Sequence, residues 1–409
     1  MLAKYRSVLS VPGAARLFAT ALVARLPQGM APLAVLLLVR GATHSYAAAG
    51  LAVGASALAT AVCAPLLGRQ VDHRGRGRVL LPLAAGQAVM YGLLVLAARS
   101  NAGAAALIAL AALSGALLPP VAPVVRALLR EVIDDVDVRE TAYALEAVIQ
   151  EVLWITGPLF VALVIAVSSP DVAVALLGAV CLGGTLLFLR SPLLRPGTAD
   201  ADTGADRRKR RSALASPELR ALLGPVALTG TGLGAIEVGL PSLALHAGSR
   251  PASGLLLAMW SVGSMAGGLW YGAREWRSPL ARRYRTLLVL AVLCTAPLIA
   301  ARSIAAGVVC SLLAGVTIAP VFSCQYALVG RSVSAGSETE AFTWISAALI
   351  GGLAAGSALG GAVIALGGVS APFVVSCLAT TMAALLAVGF RAPIRRPAEG
   401  SQRSPAGVT

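Results

Sequence analysis

Apolar runs of about 20 residues, separated by short polar turns, recur along nearly the whole chain. A run of that length crosses the hydrocarbon core of a bilayer as a helix. Segmentation predicts twelve such helices, at 14–39, 46–68, 79–98, 103–129, 141–167, 171–190, 218–246, 252–273, 285–301, 304–329, 341–367 and 370–390. They are segments 1 to 12 below. No stretch alternates apolar and polar residues at the period of a half-buried strand, which sets aside a membrane β-barrel. The expected fold is all-α and integral to the membrane.

Only one connection is long and polar, SPLLRPGTADADTGADRRKRRSALAS at 191–216. Its Pro, Gly, Asp and Arg content reads as a linker that divides the segments six and six. The expected organisation is a six-helix bundle over 1–190, a linker over 191–216, a second six-helix bundle over 217–392 and a tail over 393–409. Shifting the chain on itself by about 200 residues aligns the halves as parallel repeats. Gly115 then meets Gly315, Pro120 meets Pro320, Gly68 meets Gly272, and ETAYALEAV at 140–148 lies over ETEAFTWIS at 338–346.

Composition agrees with a membrane chain: 57% of residues are hydrophobic, 12% are charged, and mean hydropathy is +0.82. The net charge of +15 would suggest nucleic acid in a soluble protein. Its placement says otherwise. With the N-terminus in the cytoplasm, Lys4, Arg6, the 69–78 cluster, Arg130, Arg139, the 207–211 run, the 274–285 group, Arg331 and the tail arginines fall inside. Arg40, Arg99, Arg250 and Arg302 fall outside. Such asymmetry is the positive-inside rule. It predicts a multi-pass protein of the cytoplasmic membrane with both termini cytoplasmic, and removes nucleic acid as a partner. Six cysteines all lie in apolar segments without metal-ligand spacing, so they read as packing residues.

Between segments 2 and 3 the chain reads GRQVDHRGRGRVL, from Gly68 to Leu80. Gly68 and Gly75 allow close approach and a sharp turn. Asp72 can cap the amides of a neighbouring helix, and Arg76 and Arg78 supply fixed charge. This tight basic turn with one acid resembles the signature of the major facilitator superfamily of secondary transporters. The resemblance implies two six-helix bundles that rock about a central cavity. It also implies that Asp72 latches onto the other bundle when the outward-open state forms. The second copy, GAREWRSPLARRYR at 272–285, places Trp276 where Asp72 stands.

Charge inside a bilayer is costly, so each intramembrane ion is a candidate for function. Arg25 in segment 1 and Glu151 in segment 5 lie at similar depth, about ten residues in, and are expected to pair near the midplane. That pair would either carry a proton at Glu151 or orient two helices. Glu146, on another face of segment 5, is expected to meet Arg126 or Arg130 near the cytoplasmic end. Arg126 reads as a snorkelling structural arginine. Glu237 stands alone in segment 7 and is an independent candidate for proton or cation coupling.

Pro119, Pro120 and Pro123 are expected to kink segment 4, and Pro320 to kink segment 10. Gly157 and Pro158 partly match the antiporter signature of drug-exporting members, whose glycine face packs on segment 2. By the same resemblance, Gln28, Ser114, Thr229, Thr231, Gln325 and Tyr326 are offered to the cavity, with Trp260 and Trp344 beside them. That mostly apolar lining suits an amphipathic or hydrophobic molecule. The expected protein is therefore a monomeric, proton-coupled exporter of a small organic molecule, with the proton gradient in place of any cofactor. Import or uniport of a sugar or organic acid is the alternative, and a transport-inactive sensor is a further one. Neither an acid cluster for a metal nor a nucleophile arrangement is visible, and the chain is not expected to be an enzyme.

Overall fold

The structure, a computed structural model, describes residues 2–194, 212–334 and 336–389. Most of the 191–216 linker, with its 207–211 basic run, and the whole 393–409 tail lie outside these residues.

The elements are helical because apolar Ala- and Leu-rich runs are bounded by residues that stop them. α1 (Leu2–Ser10) precedes the first crossing, α2 (Ala14–Thr43). Ser45 caps α3 (Tyr46–Arg74) by accepting from the Ala48 amide. Gly75, at φ +90°, is the single residue between α3 and α4 (Arg76–Arg99). Segment 4 is a broken helix, not a kinked one. The run Leu117–Pro120 interrupts it, leaving α5 (Ala104–Ala116) and α6 (Val121–Val132), because paired prolines lack donors and disfavour helix before them. Asp135 caps α7 (Val136–Val167), and Ser169 caps α8 (Pro170–Leu189).

The second half repeats the plan with α9 (Pro217–His246), α10 (Ala252–Ala273), α11 (Leu280–Thr295) and α12 (Pro297–Ala300). Segment 10 breaks at the corresponding place, between α13 (Ile304–Gly315) and α14 (Ile318–Ser332). The apolar stretch Glu338–Gly389 is 52 residues long. It turns at Gly368, φ +66°, into α15 (Glu338–Gly367) and α16 (Ala371–Leu386). Counting that stretch as two gives twelve crossings among the described residues.

The apolar core has three parts, and their division defines the shape. One cluster joins both halves at the end of the molecule that carries α1 and the arginine-rich turns, here the basic end. It runs from Leu17 and Leu128 in the first half to Val226, Phe322 and Phe342 in the second. Two others are separate at the far end: Met30, Val39, Leu94 and Val161 in the first bundle, and Ile236, Leu240, Leu256 and Phe373 in the second. The bundles therefore share a core at the basic end and diverge into a cleft at the other.

Candidate substrate cleft and gate

Closure of the basic end begins with Asp72. Its carboxylate accepts from the Thr339 amide at 3.2 Å and the Glu340 amide at 2.8 Å, in the first turn of α15. The N-cap residue of that helix, Ser337, makes no side-chain cap of its own. An acid from the opposite bundle thus satisfies amides that a helix start leaves open, and meets the positive end of its dipole. A Cβ at Gly68, one turn earlier, would collide with the Thr343 side chain, so glycine is what lets α3 and α15 touch. Arg76 turns away to Glu131 of its own bundle at 2.5 Å, and Arg78 is exposed.

Ion pairs complete the gate. Glu140 at the start of α7 accepts from Arg283 at 2.7 Å and from Arg331 at 2.8 Å. Arg130 donates to Glu338 at 3.1 Å and to the Val333 carbonyl at 2.8 Å. Thr141 donates to the Gly272 carbonyl at 3.1 Å, and Tyr5 to that of Leu269 at 2.8 Å. Among the described residues, no side-chain hydrogen bond or ion pair joins the bundles in the far half.

At the level where the shared core ends lies a cluster of buried charge. Arg25 donates to Glu146 at 2.8 Å and also to Gln150. Arg126 lies 3.4 Å from the same Glu146 oxygen, and its guanidinium stacks 3.9 Å above the Tyr326 ring of the opposite bundle. Tyr326 packs in turn against Tyr143, Phe322 and Phe342. Glu151 is buried beside them near the Ser264 hydroxyl of α10, and among the described residues it has no cation partner. Ser264 accepts from the Ala319 amide at 3.2 Å. The floor of the cleft thus combines two guanidiniums, two carboxyls and an aromatic plug.

A sequence profile of the Major Facilitator Superfamily matches residues 17–337. The chain belongs to that superfamily. Solved transporters share the fold of this facilitator at low identity. The human organic anion transporter MFSD10 (TETRAN) is 19% identical with a TM-score of 0.72, over 93% of this chain and 99% of that one. A bacterial homologue of the iron transporter ferroportin, solved in an outward-facing state with soaked iron, gives 16% and 0.69, over 92% and 98%. The E. coli fucose:proton symporter FucP gives 13% and 0.67, over 93% and 98%. Among curated proteins none matches in sequence.

Several expected placements change in this facilitator. Arg25 pairs with Glu146 and Gln150, not with Glu151. α7 starts at Val136, about five residues before segment 5 was expected to begin, which sinks Glu146 to the depth of Arg25. Glu146 and Gln150, four apart, share a helical face from which Glu151 is turned away. Arg126 does not snorkel: it is 4% exposed and lies within the floor cluster. Glu146 does meet Arg126, while Arg130 goes to the other bundle instead. Gly157 packs against Gly29 of α2, where its missing Cβ lets two backbones meet, and not against segment 2; Pro158 continues inside α7.

The cavity set divides. Tyr326 belongs to the floor, and Gln28 is half-buried one turn beyond Arg25. Trp260 packs between the shared core and the second bundle's far core. Among the described residues the buried indole N–H groups of Trp260 and Trp344 have no partner. Ser114 is fully buried inside the first bundle, where its hydroxyl donates to the Ala111 carbonyl and its own carbonyl accepts from Gln87. Gln325 donates to Tyr284 inside the second bundle. Thr229 lines a small internal pocket of that bundle with Thr317 and Thr380. Thr231 bonds back to Ala227 where α9 meets Gly356 of α15. Glu237 is exposed, on a face of α9 between the Gly234 contact with α15 and Leu240 of the bundle core. Sequence reasoning missed Glu140, Thr141, Gln150, Ser264 and Arg283. Only Gln150, one turn from Glu146, carried a signal by spacing.

Proposed function

We propose that the protein is a monomeric, proton-coupled secondary transporter of a small amphipathic organic molecule, with Glu151 as the group that carries the proton. The observation that supports this is a buried carboxyl at the cleft floor that, among the described residues, pairs with no cation and lies near a hydroxyl. Such a group is neutral when sealed and ionises when water reaches it, so its proton follows the opening of the gate. By the positive-inside rule the basic end is cytoplasmic, and the present form is the outward-facing one in the cytoplasmic membrane. Rocking of the bundles, with the linker as tether, would then expose the floor to the cytoplasm.

Export in exchange for protons, the direction the sequence favours, needs substrate and proton to compete for the floor. Uptake of an organic acid with a proton is the second reading, favoured by the surplus of guanidinium over paired carboxylate there. Proteoliposomes loaded with pyranine and challenged with amphipathic acids, bases and neutral compounds test both. Substrate-induced alkalinisation marks exchange and acidification marks co-transport. Substrate flux without proton movement, or proton movement unchanged in Glu151→Gln, would refute the proposal.

A further inference from the structure

The floor has an electrostatic imbalance that the proton alone does not resolve. Arg25 and Arg126 both converge on one fully buried carboxylate, Glu146. Arg25 uses its terminal nitrogens on Glu146 and Gln150. Arg126 is 4% exposed, and among the described residues its guanidinium donates no hydrogen bond. It is held by its charge and by the Tyr326 ring, with its donor fork unspent. A buried guanidinium in that condition is costly, and what relieves it is an acceptor with two oxygens in one plane.

We propose that Arg126, seconded by Arg25, receives the carboxylate of the transported molecule, which is an apolar or aromatic monocarboxylic acid. This rests on the reading of the cleft floor as the substrate site. Charge counting selects a monoanion. The groups facing the site are Arg25 from α2, Arg126 from α6, Glu146 and Glu151 from α7 with Tyr143 beside them, and Tyr326 from α14. α10 contributes the uncharged Ser264 and Trp260. With Glu151 protonated the floor carries one net positive charge, which a carboxylate neutralises and a phosphate dianion overshoots. The rings of Tyr326, Tyr143 and Phe322 would receive the apolar part.

Two consequences follow. Carboxylate and proton bind together, which takes the co-transport reading over exchange, since either without the other leaves net charge in a low-dielectric site. The carboxylate also competes with the Tyr326 ring for Arg126, weakening a contact that ties the first bundle to the second.

The test uses purified full-length protein and needs no gradient. A series of aryl and alkyl monocarboxylates, including 4-phenylbutyrate, is titrated by tryptophan fluorescence and thermal shift beside the matched amides and ammonium compounds. Saturable binding of carboxylates alone is expected, weakened about tenfold or more in both Arg126→Gln and Arg126→Lys, since lysine keeps the charge and loses the fork. Binding should tighten toward acidic pH in the wild type and lose that dependence in Glu151→Gln. Equal affinity for amide or ammonium, no binding across the carboxylate series, or full affinity in Arg126→Lys would overturn the proposal. Carboxylate binding that persists without proton-coupled flux would sink the coupling to Glu151 and leave the anion site standing.

Discussion

The two lateral seams between the bundles occupy equivalent positions in the repeat and are built differently. Along α3 and α15 the polar contact lies at the basic end, where Asp72 caps the start of α15 and Gly68 lets Thr343 in. Along α7 and α10 the same end is closed by a neutral hydrogen bond, Thr141 to Gly272. Here the small residues Gly272 and Gly268 meet Ala144 and Val148, and the acid, Glu151, lies deep. A carboxylate held by helix-start amides is a reversible fastener, since the helix dipole meets its charge when the seam is closed and water meets it when the seam opens. A carboxyl buried away from any cation has no such fixed partner, and on the proposed reading it carries the proton. On the proposed reading one seam latches and the other senses the proton; Trp276, which stands where Asp72 does in the repeat, stacks on Tyr271 instead.

The comparison can be broken by degrees. Labels at the exposed Arg78 and Arg277, on opposite bundles, report closure by electron–electron distance measurements. Glu140→Gln should have the largest effect, since it strands Arg283, which is 5% exposed in its side chain. A loss of about 3–5 kcal/mol is expected, populating long separations and lowering the thermal midpoint. An unchanged distance distribution would exclude Glu140 from the gate. Leucine at Gly68 or Gly272 should wedge its seam open by about 1–3 kcal/mol, and equal flux to wild type would contradict the close contacts seen here. Asp72→Ala should cost about 1–2 kcal/mol, a five- to thirtyfold shift toward the open form. Thr141→Val should cost about 1 kcal/mol or less. If Thr141→Val moved the equilibrium as far as Asp72→Ala, the two seams would be equivalent and the latch–sensor distinction would fall.

The floor cluster shows how far the sequence could be read. Arg25, Glu146, Glu151 and Arg126 stood out because charge in an apolar run is conspicuous. Their pairing did not. An error of about five residues at the start of α7 was enough to exchange Glu146 for Glu151 as the partner of Arg25. The polar cavity candidates misled for another reason. Ser114, Thr229 and Gln325 serve contacts within one bundle, and nothing in a helical run states which face meets the cleft.

The sequence by itself determined the crossings, the places where segments 4 and 10 depart from a straight helix, and the turn that carries Asp72. Each is set by local chemistry: apolar length, missing proline donors, and glycine freedom. Only the tertiary structure decided which end is closed, that Asp72 caps α15, that Glu146 stands between two arginines, and that Arg126 lies over the Tyr326 ring. Those depend on the rotation and depth at which helices far apart in the chain come to rest. Residue spacing fixes position along one helix and leaves the angle between two of them open.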